Sequence, residues 1–273
     1  MSDATLTALA TVLLVIVGLA QVFVLISQKR QTRIALITEY RQLWNKLKPY
    51  WGNVIFIGRV EGEYYQVVNN KRLSKLKELT DQHSYSAPTI WALESVQNIF
   101  GLLGEVSTRI LQGHLTVSDT YPIFGTGFLR QSRPLRQLLE PSYQHYFSSE
   151  LESEKHSSIR NEMQDWLVYH DGLRRRCLIL IDLLWAEAAR LEDLPPDEMQ
   201  SAANSKKVTG KLNRTRVFSE TIRINGLSKL LLAIKLSRFL LRAEYFSRSN
   251  WLGIKKSRLS SLDANWTNRL LRS

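Results

Sequence analysis

Residue types on which catalytic and metal sites depend are scarce in this 273-residue sequence. Its single cysteine, Cys177, excludes an internal disulfide and a paired-thiolate zinc site. None of the five histidines stands in a His-Glu-x-x-His or Glu-x-x-His pattern, so the ligand spacing of zinc proteases and di-iron bundles is missing. The sequence therefore predicts no cofactor, and the absence of a nucleophile–base pattern argues against an enzyme.

Three local patterns could belong to a functional site, but in each of them the neighbouring residues favour a structural role. Residues 125–127 (Gly-Thr-Gly) lack the preceding strand and the following Gly-Lys-Ser/Thr of a phosphate loop, so we expect a plain turn. His170 beside Asp171 pairs a base with an acid, but the position predicts a helix end. Cys177 follows three arginines, yet its apolar neighbours predict an inert, buried thiol.

Residues 4–27 form a long apolar run that no charged residue interrupts. Fourteen of them are Leu, Ile, Val or Phe. A bilayer core about 30 Å thick needs about 20 apolar residues in a helix that rises 1.5 Å per residue. The run therefore predicts a transmembrane anchor within residues 1–27, with Leu13, Val17 and Phe23 among its anchoring side chains.

A cleaved signal peptide is the competing interpretation, but it needs basic residues before a shorter apolar core. Here the basic residues follow the run, namely Lys29, Arg30, Arg33, Arg41, Lys46 and Lys48. Because positively charged flanks stay inside, the sequence predicts a single-pass protein of the inner or plasma membrane. Its N-terminus is expected outside and its C-terminus in the cytoplasm.

The apolar run continues into a helical pattern without a break. Large apolar residues recur at helical spacing beyond it, namely Ile37, Tyr40, Trp44 and Leu47. We expect one long helix that begins near Thr5 and is stopped by Pro49 and Gly52. Residues 53–69 are ambiguous between a strand and a helical turn, and we expect a turn followed by a short helix.

Further helices are predicted in the centre of the chain. A basic amphipathic helix is expected over residues 71–80, and a longer one from a cap at Ser86 to a C-terminal cap at Gly113. Gly101 and Gly104 in that helix are expected to permit close packing. Two more helices should meet near residues 171–172.

Asp182 is the most informative single polar residue, because it interrupts the apolar stretch LILIDLLW. An unpaired carboxylate on a packed helix costs several kcal/mol, so the residue needs a partner. The sequence favours a buried ion pair with an arginine from a neighbouring helix. The alternative is a functional acid that lines a pocket.

Charge is distributed unevenly along the chain. Residues 204–273 carry sixteen of the 37 Lys/Arg and three of the 25 Asp/Glu, a net charge of +13, whereas the rest of the chain carries −1. Residues 201–216 are polar, basic and aperiodic, and we expect a linker there. The predicted domains are the anchor at 1–27, a helical bundle at 28–203 and a basic helical region at 204–273.

The basic region places a wide apolar face opposite a narrow basic stripe over residues 226–246, and aromatic residues alternate with bases beyond it. Such a helix is either buried in a domain or lies in a membrane interface. Its charge suits lipid headgroups or nucleic acid, and the alternative is a solvated face. The residues expected to bind an anionic surface are Lys229, Lys235, Arg238, Arg242, Arg248, Lys255, Lys256 and Arg258.

The first 170 residues resemble a broad group of bacterial single-span, all-helical membrane proteins. The resemblance rests on the anchor, on RQLWNKLKPYW, on ALESVQNIFGLLGEVSTRILQG and on a Tyr-Pro-apolar-Gly turn over residues 121–125. It covers residues 5–170 and omits the basic C-terminal part. It implies an all-helical architecture and a membrane location, but no particular chemistry.

Together these patterns predict an all-α protein, with one transmembrane helix continuous with a cytoplasmic helical bundle and a basic helical C-terminal region. The expected function is a membrane-tethered interaction or scaffold module whose basic tail engages anionic lipid or an acidic partner. A protein partner or a homo-oligomer is expected in addition to the bilayer. Two alternatives are a membrane-localised effector that binds nucleic acid or a nucleotide signal, and an oligomeric membrane-disrupting or channel subunit.

Overall fold

The computed structural model describes residues 3–59, 70–81, 87–140, 154–243, 259–262 and 265. These residues are helical and contain no strand, which confirms the predicted all-α class for the described part of the chain. The helices are α1 (Asp3–Gly58), α2 (Asn70–Asp81), α3 (Ala87–Gln112), α4 (Val117–Arg130), α5 (Ser132–Leu139), α6 (Glu154–Tyr169), α7 (Asp171–Leu191), α8 (Pro196–Asn225) and α9 (Leu230–Phe239). Short 3₁₀ turns, Gly226–Lys229 and Leu240–Ala243, flank α9.

Helix α1 is 56 residues long and has two unlike halves. Residues 11–27, here called the apolar half, contain no buried residue. Residues 40–58, the bundle half, enter the core, and every residue from 51 to 58 is buried. The predicted stop at Pro49 is wrong, because the helix continues to Gly58. Burial of the apolar residues that follow Pro49 outweighs the loss of one backbone hydrogen bond.

Aromatic packing joins the bundle half to α4. The ring centroid of Trp44 lies 5.0 Å from that of Phe124 and 5.5 Å from that of Trp51. Phe128 stacks on Trp51 at 5.1 Å. Edge-to-face and offset contacts of this kind add about 0.5–1.5 kcal/mol per pair to the burial itself. They fix the direction in which α1 leaves the bundle.

Helix α7 lies in the core, in agreement with the apolar stretch that surrounds Asp182 in the sequence. Its residues 177–184 are all buried, and the thiol of Cys177 lies 3.4 Å from the carbonyl oxygen of Phe100 on α3. Burial raises the pKa of the Cys177 thiol well above its ordinary value. A methyl group at Gly104 would collide with Leu173 of α7, so this glycine permits the close packing expected of it. Gly101 has no such neighbour, so its predicted packing role is wrong.

The linker predicted over residues 201–216 is wrong, because the whole stretch lies inside the 30-residue helix α8. From residue 209 onwards, the buried positions of α8 recur every three or four residues, but they are occupied largely by small or polar side chains. These positions are Gly210, Asn213, Val217, Glu220 and Thr221. Hydrophobic periodicity therefore missed the helix. Residue 204 lies within α8, and the division into domains stays a prediction.

Helix α8 turns back at Gly226, whose φ of +66° is readily adopted only by glycine. Helix α9 then packs along α8, and the Ser237 hydroxyl donates to the Arg214 carbonyl oxygen at 2.9 Å. The single helix predicted across residues 226–246 is thus broken into the 3₁₀ turn, α9 and a second 3₁₀ turn. We call α8, α9 and the turn between them the C-terminal hairpin.

Candidate membrane-facing surface

The apolar half of α1 is exposed along its whole length. The exposed fractions of Leu13, Val17 and Phe23 are 54%, 52% and 76%. Among the described residues, α1 is the one helix long and apolar enough to cross a membrane, and no residue of its most apolar window is buried. The chain therefore provides no cover within its described part for the side chains predicted to anchor it.

Arg33 ties α1 to the bundle just beyond the apolar half. Its guanidinium donates to both carboxylate oxygens of Asp119, each at 2.5 Å, and to the Thr116 hydroxyl at 3.1 Å. Asp119 also accepts from the backbone N–H and the hydroxyl of Thr116, forming a capping box at the start of α4. Burial raises the pKa of Asp119, but these hydrogen bonds outweigh it and leave the pKa below its ordinary value.

In the sequence, Arg33 stands out only as part of a basic flank, which does not indicate this contact. The signal was present, because a threonine followed three residues later by an acid before an apolar run is typical of a helix start. The capping box places α4 at the end of the bundle from which the apolar half projects. Arg33 lies only six residues beyond Ser27, or about 9 Å along the helix axis.

Tyr40 and α3 mark the same end of the bundle. The buried Tyr40 hydroxyl donates to Glu105 at 2.9 Å, and Arg109 donates to that hydroxyl at 3.4 Å. Burial raises the pKa of the Tyr40 hydroxyl, so it stays protonated as a donor. Helix α3 therefore runs against α1 with its C-terminal end towards Arg33, and the chain passes from Gly113 to Thr116 within about 11 Å.

The tip of the C-terminal hairpin docks on this end of α3. The Asn225 amide donates to the carbonyl oxygen of Leu111 at 3.0 Å. A methyl group at Gly113, whose φ is +79°, would lie 3.2 Å from the Leu232 side chain. These contacts bring the hairpin tip to the end of the bundle where the apolar half of α1 emerges.

The hairpin exposes an apolar surface at its tip. Ala233, Leu236 and Leu240 face inward and are buried, whereas four large apolar side chains remain outside. Leu231 is 83% exposed and Leu227 is 76% exposed. We call the exposed set the apolar tip: Leu227, Leu230, Leu231 and Ile234. The sequence pattern left burial and an interfacial location as alternatives, and the structure divides the apolar residues between inside and outside.

Basic side chains border the apolar tip. Lys229, Lys235 and Arg238 are exposed, as expected of residues that bind an anionic surface. Arg242 is half-buried, and its guanidinium lies 4.7 Å from the centroid of the Phe239 ring, a cation–π contact. The other four predicted residues, Arg248, Lys255, Lys256 and Arg258, lie outside the described residues.

Asp182 lies away from this surface, in the core. It is 1% exposed and forms an ion pair with Arg136 of α5. Arg216 of α8 lies 4.0 Å from its second oxygen and 3.4 Å from Glu140, which also pairs with Arg136. The carboxylate thus has arginine partners from two neighbouring helices, the arrangement that the sequence favoured, and it connects α5, α7 and α8.

The described residues contain no group of three or more His, Cys, Asp or Glu that could hold a metal ion. His170, weighed above as a base, ends α6, and its ring stacks on Trp166 with centroids 4.0 Å apart. The chain matches no protein-family model, no curated protein and no solved structure in the three comparisons made with known proteins.

Proposed function

We propose that the protein is a membrane-tethered interaction module whose bundle contacts the cytoplasmic leaflet at two places. The apolar half of α1 crosses the bilayer, and the apolar tip of the C-terminal hairpin lies in the headgroup region beside it. The observation that carries the proposal is the position of the tip. It exposes four large apolar side chains at the same end of the bundle from which the apolar half projects.

Apolar burial supplies the part of the binding that salt does not screen. Complete burial of a leucine side chain contributes about 1.5–3 kcal/mol relative to its exposure to water. Leu227 and Leu231 are the most exposed members of the tip, so they gain most from entering the interface. An exposed group of large apolar side chains, when it forms a patch larger than a few hundred Å², marks a site of interaction.

Electrostatic attraction supplies the other part. Each Lys or Arg held near an anionic leaflet contributes about 1 kcal/mol at moderate salt. Lys229, Lys235 and Arg238 are exposed beside the apolar tip, where they can reach headgroups while the leucines insert. Being tethered by α1, the hairpin does not have to find the membrane from solution, so even this moderate attraction suffices to hold it there.

Nucleic acid would attract the same positive charges, but it gives no reason for the exposed leucines. Its binding would also weaken steeply as salt releases phosphate counterions. Lipid accounts for both the charge and the apolar tip. The leaflet is therefore the better occupant of this surface, and the nucleic-acid effector becomes one outcome of the test.

The test places a polarity-sensitive fluorophore on the tip of the full-length protein in liposomes. Leu231→Cys carries the probe, and Cys177 is buried and stays unlabelled. Leu212→Cys is the matched control, because Leu212 is also an exposed leucine of the hairpin but lies about 20 Å before its tip. We expect lipid-attached quenchers to quench position 231 and spare position 212, more strongly in anionic than in neutral liposomes.

Two results would overturn the proposal. If both positions report water in anionic liposomes, the tip does not enter the interface. If the probe at position 231 reports a less polar environment only when a single-stranded or duplex oligonucleotide is added, the nucleic-acid effector is the better interpretation. Both measurements use the intact chain, because residue 204 lies inside α8 and a fragment that starts there would cut a packed helix.

A further inference from the structure

The opposite end of the bundle holds a basic groove between α1, α2 and α3. Its volume is about 520 Å³, within the range of small-molecule sites. It is lined by Asn53, Lys71, Arg72, Lys75, Leu76, Leu79 and Trp91. None of these lining residues is acidic, and three of them carry a positive charge.

The polar groups of the groove are mainly hydrogen-bond donors. Lys71 and Lys75 stand four residues apart on α2, so their ammonium groups extend from the same helix face. Arg72 is held in place, donating to the Pro49 carbonyl oxygen at 2.8 Å and to the Asn53 amide oxygen at 3.1 Å. The Trp91 indole nitrogen is buried and has no hydrogen-bond partner within the described residues.

The floor of the groove is fixed before any ligand arrives. Asn53 is 8% exposed, and its amide nitrogen donates to the Ser95 hydroxyl at 2.7 Å. That hydroxyl in turn donates to the Trp91 carbonyl oxygen at 2.7 Å. Because these bonds join α1 to α3, a ligand in the groove would meet a floor that needs little ordering on binding.

The apolar part of the lining restricts the ligand further. Leu76 is 4% exposed, and Leu79 and the Trp91 ring lie beside it in the lining. A bare anion would use the lysines and leave this apolar wall in water. A planar ring can pack against an indole, as bases stack on aromatic side chains in proteins that bind single-stranded nucleic acid.

The groove lies far from the leaflet. Asn53 is 26 residues beyond Ser27, or about 39 Å along α1. A phospholipid headgroup of the same membrane does not reach that distance, so the ligand comes from solution. We propose that the groove binds a soluble phosphorylated small molecule with a planar ring, the chemistry of a nucleotide. The lysines meet its phosphate, and the Trp91 wall meets its ring.

The experiment titrates the full-length protein in detergent with a panel of nucleoside monophosphates by calorimetry, with adenosine and inorganic phosphate as separate probes. We expect saturable binding of at least one nucleotide, weaker binding of phosphate and weaker binding of adenosine. Charge reversal by Lys71→Glu with Lys75→Glu should weaken nucleotide binding about tenfold or more, since it removes two charge-assisted hydrogen bonds.

Lys77→Glu is the matched control, because Lys77 is an exposed lysine of the same helix that does not line the groove. Lys77→Glu should leave the affinity for the nucleotide within about twofold of the wild-type value, because it changes the net charge but not the groove. Trp91→Leu keeps an apolar side chain but removes the ring, and should weaken nucleotide binding several-fold. Helix content by circular dichroism shows that each variant is folded.

Several results would overturn the proposal. Absence of saturable binding by every nucleotide would overturn it outright. If Lys71→Glu alone weakens binding no more than Lys77→Glu, which changes the net charge by the same amount, the binding reflects net charge and no site. Inorganic phosphate or adenosine binding as tightly as a nucleotide would contradict the two-part ligand. Because the assay contains no bilayer, its failure leaves the proposed membrane contact untouched.

Discussion

The two halves of α1 differ in what surrounds them, although both are rich in large apolar residues. From residue 51 to residue 58 every side chain is buried against other helices, whereas from 11 to 27 none is. One continuous helix thus passes from a region covered by the protein to a region that no described residue covers. Apolarity alone therefore does not distinguish a core helix from a membrane helix, but the presence of packing partners does.

The pattern of partners explains the difference. Aromatic rings of α4 and a tight approach to α5 surround the bundle half, and its hydrogen-bonding side chains reach other helices. Gly58 meets the Pro134 backbone, and the Trp51 indole N–H donates to Gln131 at 2.7 Å. No residue of the apolar half is buried, so this segment lacks the packing contacts that hold the bundle half in one register.

The largest expected effect comes from introducing an aspartate into each half of α1 and comparing the consequences. Ile57→Asp places an unpaired carboxylate at a site with 0% exposure and should cost about 4 kcal/mol or more of unfolding free energy. Val17→Asp should leave the stability of the bundle in detergent unchanged. It should make the free energy of membrane insertion of α1 about 3 kcal/mol less favourable. Thermal unfolding by circular dichroism and membrane fractionation measure the two effects. Equal losses of melting temperature would contradict the division.

Asp182 tests whether the core beneath the hairpin depends on its ion pairs. Asp182→Ala removes the more deeply buried of the two acids that Arg136 and Arg216 share and leaves them only Glu140, so it should destabilise the bundle by about 3 kcal/mol. Asp165→Ala on α6 is the control, because Asp165 is exposed and its loss should change stability by less than about 0.5 kcal/mol. Chemical denaturation gives both values. A free energy of unfolding of Asp182→Ala equal to that of wild type would contradict the buried pair.

Replacing one glycine in each half of α1 by alanine compares the two halves through the addition of a single methyl group. In the bundle half, a Cβ at Gly58 would lie 2.8 Å from the carbonyl carbon of Pro134, so Gly58→Ala should destabilise by about 1–3 kcal/mol. In the apolar half, a Cβ at Gly18 would meet nothing within 4 Å, so Gly18→Ala should leave the bundle unchanged. Calorimetric unfolding of the two variants measures the difference. Similar melting temperatures would show that α1 does not approach α5 so closely.

The smallest expected effect lies at the junction of the two halves. Arg33→Gln should cost less than about 1 kcal/mol at neutral pH, because Arg33 is 41% exposed and solvent screens the pair. The pH dependence of the stability difference between wild type and Arg33→Gln identifies the Arg33–Asp119 pair as its source. The pKa of Asp119 lies below its ordinary value of 3.8, so the stability it gives is present above that pH and disappears as the pH falls through the lowered value. Unfolding from about pH 5 to about pH 2 should show wild type and Arg33→Gln converging in acid. A constant difference would exclude Asp119 as the partner.

Much of the fold could be predicted from periodicity, and the errors have physical causes. Buried apolar positions on α3 and α7 follow helical spacing, so those helices and the need for a partner at Asp182 were visible in the sequence. The predicted helix end at Pro49 was wrong because proline disfavours a helix locally, whereas burial of the following residues in the assembled bundle favours it. Residues 201–216 were predicted to be a linker because the inward face of α8 carries Gly210 and Asn213 there, where apolar residues would be expected.

The candidate surface could be predicted in part. The apolar and basic content of residues 226–246 was evident, but the turn at Gly226 and the packing of α9 decide which leucines remain outside. Proximity of the hairpin tip to Arg33 depends on contacts between segments more than 80 residues apart, such as Arg33 with Asp119, and no local pattern encodes them. The basic groove depends on three separate helices in the same way.

The central claim is that α1 crosses the membrane once and leaves the bundle on the cytoplasmic side. A reporter that is active only in the cytoplasm, fused after Ser273 and expressed in bacteria, tests it most directly. The one-sided basic flank from Lys29 onward predicts full activity of this fusion in intact cells and its recovery with the membrane fraction. Activity of a periplasm-specific reporter at the same position, or recovery of the fusion in the soluble fraction, would contradict the account.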